Sequence, residues 1–278
     1  MFELEPHGPD TFVGSGPEYP WHSLYGGQIV AQALRAAALT VEADKPPHSL
    51  RAYFIRRGDD REPVRYEVDR IRNGRSFSTR RVVARQAVGA ILNLEASFQR
   101  FEESLTIQTV TMPRNVPSPD SLDDVSWIET FERRDVPDDA GDLGERTGGG
   151  RLLRWFRHTG SPGELDDPAA ALLHQCWLAY ISDDVPAEAV LHSHPQYVPR
   201  PPVPPGEPQR PDDGESTNYG ASLDHTIWFH RPMRVDQWHL HDVTCHGFVG
   251  GRGLSIGHVF ALDGTHTATY AQEFLARF

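Results

Sequence analysis

The chain repeats itself at a fixed distance. Tyr53-Phe54-Ile55-Arg56-Arg57 is echoed by Trp228-Phe229-His230-Arg231-Pro232, with Phe54 lying 175 residues before Phe229. The same offset carries Val68 onto Val243, Gly89 onto Gly264 and Ala96 onto Ala271. Four landmarks at one spacing describe a duplicated unit. After duplication one copy can keep the chemistry while the other becomes scaffold, so function is sought where the copies differ.

A chain of 278 residues suits one large domain or two small ones, and the repeat favours two. No window approaches the roughly 18 consecutive apolar residues of a membrane span. Met1-Phe2-Glu3-Leu4-Glu5 lacks the basic start and apolar run of a signal peptide. Cys176 and Cys245 are the only cysteines, one in an expected helix and one in an expected strand, so buried free thiols and a cytoplasmic location are expected. A net charge of -12 argues against nucleic acid as a partner. Lys45 is the only lysine; the remaining positive charge is arginine, clustered over residues 51–85, while acidic residues cluster at 119–142 and 211–215. A local basic patch on an acidic protein suits a phosphate-bearing small ligand, and equally a solvated strand face.

Each copy opens with a helix. Gly26-Gly27 precedes Gln28-Ile29-Val30-Ala31-Gln32-Ala33-Leu34-Arg35, in which Gln28, Gln32 and Arg35 form one narrow polar stripe and every other face is apolar or small. Such a helix is mostly buried, as it would be inside a sheet that curls around it. The second helix is expected from Asp167-Pro168, an N-cap followed by proline in the first turn, to Tyr180. Strands follow each helix. Leu50, Ala52 and Phe54 alternate with their neighbours, as do Val64, Tyr66 and Val68, and runs at 77–86 and 90–98 are joined at Val88-Gly89. The second copy has runs at 225–231, 236–246, 254–262 and 267–275, with Asp263-Gly264 as a hairpin signal. Successive antiparallel strands after one helix predict an α+β fold in two units. The expected division is residues 1–105, a linker at 106–150 that ends in Gly148-Gly149-Gly150, and residues 151–278. A proline-rich and acidic insertion at about 184–220 includes Pro201-Pro202 and Pro204-Pro205.

These residues name a family. Tyr25-Gly26-Gly27-Gln28, His48-Ser49-Leu50, the run Asn73-Gly74-Arg75-Ser76-Phe77-Ser78-Thr79-Arg80-Arg81-Val82, and Ala96-Ser97-Phe98-Gln99 resemble acyl-CoA thioesterase II. So do Tyr180-Ile181-Ser182-Asp183, Leu223-Asp224-His225 with Trp228 to Pro232, and Ala271-Gln272-Glu273. Seven motifs in the family's order span nearly the whole chain. The resemblance implies a double hotdog, two antiparallel sheets each curled around a central helix. It also implies hydrolysis of acyl-CoA to free acid and CoA without metal or organic cofactor, and a homo-oligomer, dimer or tetramer, with acyl-CoA as its partner.

The family's aspartate, hydroxyl residue and glutamine fall on Asp183, Ser222 and Gln272. Serine at 222 keeps the hydroxyl of the commoner threonine but loses the methyl that restricts its rotamer. In the first copy the offset places Pro47 opposite Ser222 and Ser97 opposite Gln272, so only one trio is complete.

The residue types suit the chemistry. A carboxylate can orient a water and take its proton, while serine and glutamine hydrogen-bond that water without neutralising the base. Gly26 and Gly27 open a helix whose backbone N–H groups could face an oxyanion, with no side chain in the way. Arg56, Arg75, Arg80 and Arg231 are candidates for the CoA phosphates. Among rivals, Asp224 and His225 are strand neighbours that point to opposite faces, His239 and His241 share a face but lack a third metal ligand, and no Gly-x-Ser-x-Gly elbow exists. An acyl-CoA-binding protein with decayed catalysis and a hydratase on the same fold stand as alternatives.

Overall fold

The structure is a computed structural model that describes residues 1–138, 140, 150–198 and 219–278. Gly148 and Gly149, the prolines at 201–205 and the acidic stretch at 211–215 lie outside the described residues. In chain order the elements are β1 (Glu5–Pro6), β2 (Thr11–Gly14), α1 (Gly26–Ala38), β3 (Pro47–Phe54), β4 (Val64–Asn73), β5 (Phe77–Gln86) and β6 (Gly89–Gln99). There follow β7 (Phe131–Asp135), β8 (Arg151–His158), α2 (Pro168–Ile181), α3 (Val185–Ser193), β9 (Tyr219–Ser222), β10 (Asp224–Phe229), β11 (His239–Val249), β12 (Arg252–Ala261) and β13 (His266–Arg277). Among the described residues a 3-10 turn sits at Pro119–Ser121.

The repeat maps onto these elements strand by strand. β3 to β6 correspond to β10 to β13, with Phe54 and Phe229 each closing a strand and Val68 and Val243 buried in β4 and β11. Gly89 and Gly264 occupy the β5–β6 and β12–β13 turns at φ 106° and 84°, in the left-handed region that glycine enters without a Cβ penalty. This is the physical reason the repeat kept glycine at both places.

Two compact units emerge, and neither is a simple half of the sequence. The first contains residues 1–104, 163–183 and 222–229. Its strands run antiparallel in the order β1-β2-β4-β5-β6-β3-β10. α1 lies against β3 to β6, and α2 packs on α1. The core combines Val30, Leu34 and Ala37 of α1 with Leu50, Tyr66, Val82, Leu94 and Phe98 of the sheet. As expected, α1 is buried nearly all round. Its two glutamines, however, face protein and not water. Gln28 accepts from Tyr19 Oη at 2.7 Å, Gln32 accepts from Tyr66 Oη at 2.7 Å, and Gln32 Nε2 donates to the Met1 and Ser15 carbonyls. The Asp167 cap is present, accepting from Ala169 N at 2.9 Å.

The second unit contains residues 105–162, 184–221 and 230–278. Its strand order is β13-β12-β11-β8-β7, antiparallel throughout, with β9 beside β13. Here the structure departs from expectation. The start of the segment read as an insertion is α3, and α3 packs on β8, β11, β12 and β13. The sheet approaches it closely: a Cβ on Gly253 would stand 2.2 Å from Val190 Cγ1. The stretch read as linker contributes β7. Its Val110, Met112, Val116 and Leu122 also cover a cluster of Leu153, Trp155, Trp238, Leu240 and Phe260. Trp155 Nε1 donates to the Pro117 carbonyl at 3.0 Å, and Gln108 bonds both Gly264 and His266.

Candidate functional site

The C-terminus of α2 delivers Tyr180-Ile181-Ser182-Asp183. The Ser182 N–H closes the last turn on the Leu178 carbonyl at 2.9 Å, and Asp183 follows, 8% exposed. Its carboxylate lies over the start of α1: a Cβ added to Gly26 would stand 2.5 Å from Asp183 Oδ2. A Cβ on Gly27 would stand 2.0 Å from the Tyr180 carbonyl oxygen. Gly27 is therefore required by the close backbone approach of the α2 terminus, and Gly26 leaves room for the Asp183 carboxylate. Tyr25, the N-cap of α1, makes no side-chain cap bond, and the positive end of the helix favours an anion where Asp183 sits. The structure thus brings Gly26, Gly27 and Asp183 together.

The Asp183 segment is held from the preceding residue. Ser182 Oγ donates to the Ala179 carbonyl at 3.1 Å and lies 2.8 Å from His225 Nε2, both residues being fully buried. Serine has one proton and a carbonyl only accepts, so in this arrangement His225 Nε2 carries the hydrogen. His225 stands on β10, three residues after Ser222. The contact ties the segment of one candidate catalytic group to the segment of another. Sequence reasoning set His225 aside as a structural group without identifying Ser182 as its partner; adjacency to two motif residues was the available signal. An aromatic group borders the same region: Tyr19 and Tyr180 hydroxyls are 3.2 Å apart, and the Tyr25 ring meets Tyr180 edge-on at 4.9 Å.

Ser222 ends β9, half-buried, and belongs with Asp183 to the first unit. Gln272 belongs to the second unit, fully buried on β13 and registered opposite Ser255 of β12. Beyond Asp183 the chain enters a largely buried ion network that sequence reasoning missed. Arg133 Nη1 donates to Asp184 Oδ2 at 2.9 Å, and Arg133 also bonds Asp135 and Glu188. Trp127 Nε1 donates to Asp184 Oδ1 at 2.7 Å. Burial pushes the Asp184 carboxyl up to about 6, against the pull of Arg133.

Of the four arginines expected at the CoA phosphates, Arg80 is not available. It is 1% exposed, and its five N–H donors go to Thr40 Oγ1, the carbonyls of Thr40, Arg72 and Thr79, and Asn73 Oδ1. With every donor used inside the protein, none remains for a phosphate. Arg56 and Arg75 are exposed and Arg231 is half-buried. Arg56 donates to the Ala90 carbonyl and Arg231 to the His266 carbonyl, each through one Nη1. Burial pushes the Cys176 thiol up to about 12, which suits a packing role and not a nucleophile. Among the described residues no three His, Cys, Asp or Glu side chains group to hold a metal ion, and no helix is long and apolar enough to cross a membrane.

Known proteins match along the whole chain. An acyl-CoA thioesterase N-terminal domain matches residues 17–99 and an acyl-CoA thioesterase C-terminal domain matches residues 109–276. Acyl-CoA thioesterase 2 of Haemophilus influenzae is 33% identical across 100% of this chain and 96% of its own length. Among solved structures, acyl-CoA thioesterase II TesB2 from Mycobacterium marinum superposes with a TM-score of 0.80 at 33% identity, covering 100% of this chain and 95% of that one. A protein with a hot dog fold from Alicyclobacillus acidocaldarius superposes at 0.73 and 20% identity, covering 100% and 96%, a likeness of fold alone.

Proposed function

The chain belongs to the acyl-CoA thioesterase family and is a thioester hydrolase with an α+β hotdog fold; from that premise we propose that it cleaves acyl-CoA with a water activated by Asp183, Ser222 and Gln272. The observation that carries the reading is the Asp183 carboxylate set against the glycine start of α1, within a chain matched by both family domains.

In the proposed reaction Asp183 takes a proton from water while the water's oxygen bonds the thioester carbonyl carbon. Ser222 and Gln272 orient that water through neutral hydrogen bonds, which leaves the carboxylate basic. The carbonyl oxygen becomes an oxyanion, and N–H groups at Gly26 and Gly27 are the donors proposed for it. Collapse re-forms the carbonyl, breaks the C–S bond and expels CoA thiolate, which takes the proton held by Asp183. The products are a carboxylic acid and CoA thiol. Arg56, Arg75 and Arg231 remain the cations proposed for the CoA phosphates.

Free-thiol release from a series of acyl-CoA lengths tests the reading. Asp183→Asn keeps the shape but removes the base, and kcat should fall by about 10²- to 10⁴-fold. A folded Asp183→Asn protein within threefold of wild type would remove Asp183 from the mechanism. Wild-type protein that binds acyl-CoA at every length without releasing thiol would replace hydrolysis by sensing.

A further inference from the structure

One face of the second unit's sheet carries more polar groups than a core of this kind requires. Strand pairing sets His241 opposite Val259 of β12 and Val259 opposite Ala268 of β13, with Gly257 opposite Tyr270 and Ser255 opposite Gln272. Side chains alternate along a strand, so His239, His241, Tyr270 and Gln272 project from one face, and none is more than 1% exposed. Gly257 lets the Tyr270 ring lie across β12, since a Cβ there would stand 2.3 Å from the ring's Cζ. The phenol thereby reaches β11, where its hydroxyl is 3.0 Å from His241 Nδ1.

Two nitrogens of this cluster are left over. His239 Nδ1 lies 3.0 Å from the Gln237 carbonyl oxygen, which only accepts, so Nδ1 carries the hydrogen. Burial lowers the pKa of His239 to about 4 and holds that of His241 well below its ordinary value. Both rings are therefore neutral near pH 7, and His239 Nε2 is a bare acceptor. When Tyr270 donates to His241 Nδ1, His241 Nε2 bears the hydrogen and is a donor. Neither Nε2 has a hydrogen-bond partner among the described residues. Buried polar atoms are rarely left so without a reason. The two rings are 5.2 Å apart, centroid to centroid. An acceptor and a donor on neighbouring rings match a hydroxyl, which gives one hydrogen and takes another. An alkyl chain satisfies neither nitrogen, and a carbonyl or carboxylate cannot fill the acceptor.

We propose that His239 and His241 form a subsite for a hydroxyl group on the acyl chain, so that hydroxylated fatty acyl thioesters are favoured over unsubstituted ones. The proposal rests on the thioesterase reading above. His241 lies four residues along and two strands across from Gln272 in the pairing register, roughly 16 Å between Cα atoms at ordinary strand spacings. The hydroxyl served is therefore far down the chain from the thioester. The pantetheine arm of CoA also offers hydroxyl and amide hydrogens, and the experiment separates the two sources.

The measurement is kcat/KM for acyl-CoAs of one length, unsubstituted and with a hydroxyl moved along the chain, on wild type and on His239→Leu and His241→Leu. Wild type should favour one remote hydroxyl position by about 10- to 100-fold, and each substitution should bring that ratio close to one. A wild-type ratio within about twofold at every position overturns the proposal. So does a ratio that survives both substitutions, the result expected if a buried water fills the nitrogens. Equal losses on hydroxylated and unsubstituted substrates assign the contact to pantetheine and also overturn it. If the leucine variants do not fold, the wild-type panel alone decides. Failure to hydrolyse any acyl-CoA, unsubstituted included, would refute the thioesterase reading instead.

Discussion

Gly26→Ala asks whether the position of the Asp183 carboxylate governs catalysis. The added Cβ would stand 2.5 Å from Asp183 Oδ2 and 3.0 Å from the Phe54 ring. An ordinary carbon–oxygen contact is about 3.4 Å, so Asp183 must retreat by roughly 1 Å, a displacement worth about 10²-fold in rate when reacting groups are aligned. The backbone offers little resistance to the change. Gly26 is not among the positive-φ glycines, and alanine is the better helix former by about 0.5–1 kcal/mol. The expected signature is therefore a large fall in kcat for thiol release with thermal unfolding close to wild type. Gly27→Ala supplies the contrast, because its Cβ would meet the Tyr180 carbonyl at 2.0 Å. Backbone cannot swing aside as a carboxylate can, so that variant should lose stability as well as rate. A well-folded Gly26→Ala protein with kcat within threefold of wild type would refute the claim that this contact positions the base.

Two further substitutions probe groups outside the proposed catalytic trio. The folded-state pKa of His239 is lowered to about 4 from the ordinary 6.5, so the unfolded ring takes up a proton first as pH falls. Its contribution to stability is full above about pH 6.5 and is lost by about pH 4, amounting to about 3 kcal/mol. Urea titrations across that window should show a flatter curve for His239→Gln than for wild type, and identical pH slopes would contradict the buried neutral ring. Arg80→Met should cost about 2–4 kcal/mol in denaturant unfolding, because five internal acceptors lose their donor. The KM for acyl-CoA of the folded fraction should stay near wild type, and a selective rise in KM would return Arg80 to the phosphate site.

What could be read from the sequence was whatever depended on local chemistry. The turn glycines Gly89 and Gly264, the Asp167 cap and the apolar wrap of α1 follow from backbone freedom, an orphan N–H and helical period. β8 was missed because Leu152 to Phe156 are buried on both faces. Residues 110–122 cover Leu153 and Trp155 from outside, so the two-residue alternation that marks a half-exposed strand is absent. α3 was hidden by its surroundings. Pro186 is compatible with a first helical turn, but it opens a segment whose later prolines read as loop. Arg80 shows the limit for charge: its type suggests phosphate, and only the folded chain supplies the acceptors that absorb it. The glycine pair at 26 and 27 was visible as an open helix start, whereas the carboxylate it receives comes from a segment about 155 residues later.

The two glutamines of α1 have a consequence for aim. A helix coated on all sides with alanine, valine and leucine has no strong preference for one rotation inside a sheet, and each residue of slip turns it by about 100°. Gln28 and Gln32 stand four residues apart on one side, and each is held by a tyrosine, Tyr19 and Tyr66. They work as two index pins on a shaft. With both seated, only one angular setting keeps both amide oxygens paired with their tyrosines, and that setting turns Gly26 toward Asp183. Apolar replacements could keep the helix buried and still let it turn, so the molecule could remain folded while its first turn pointed elsewhere.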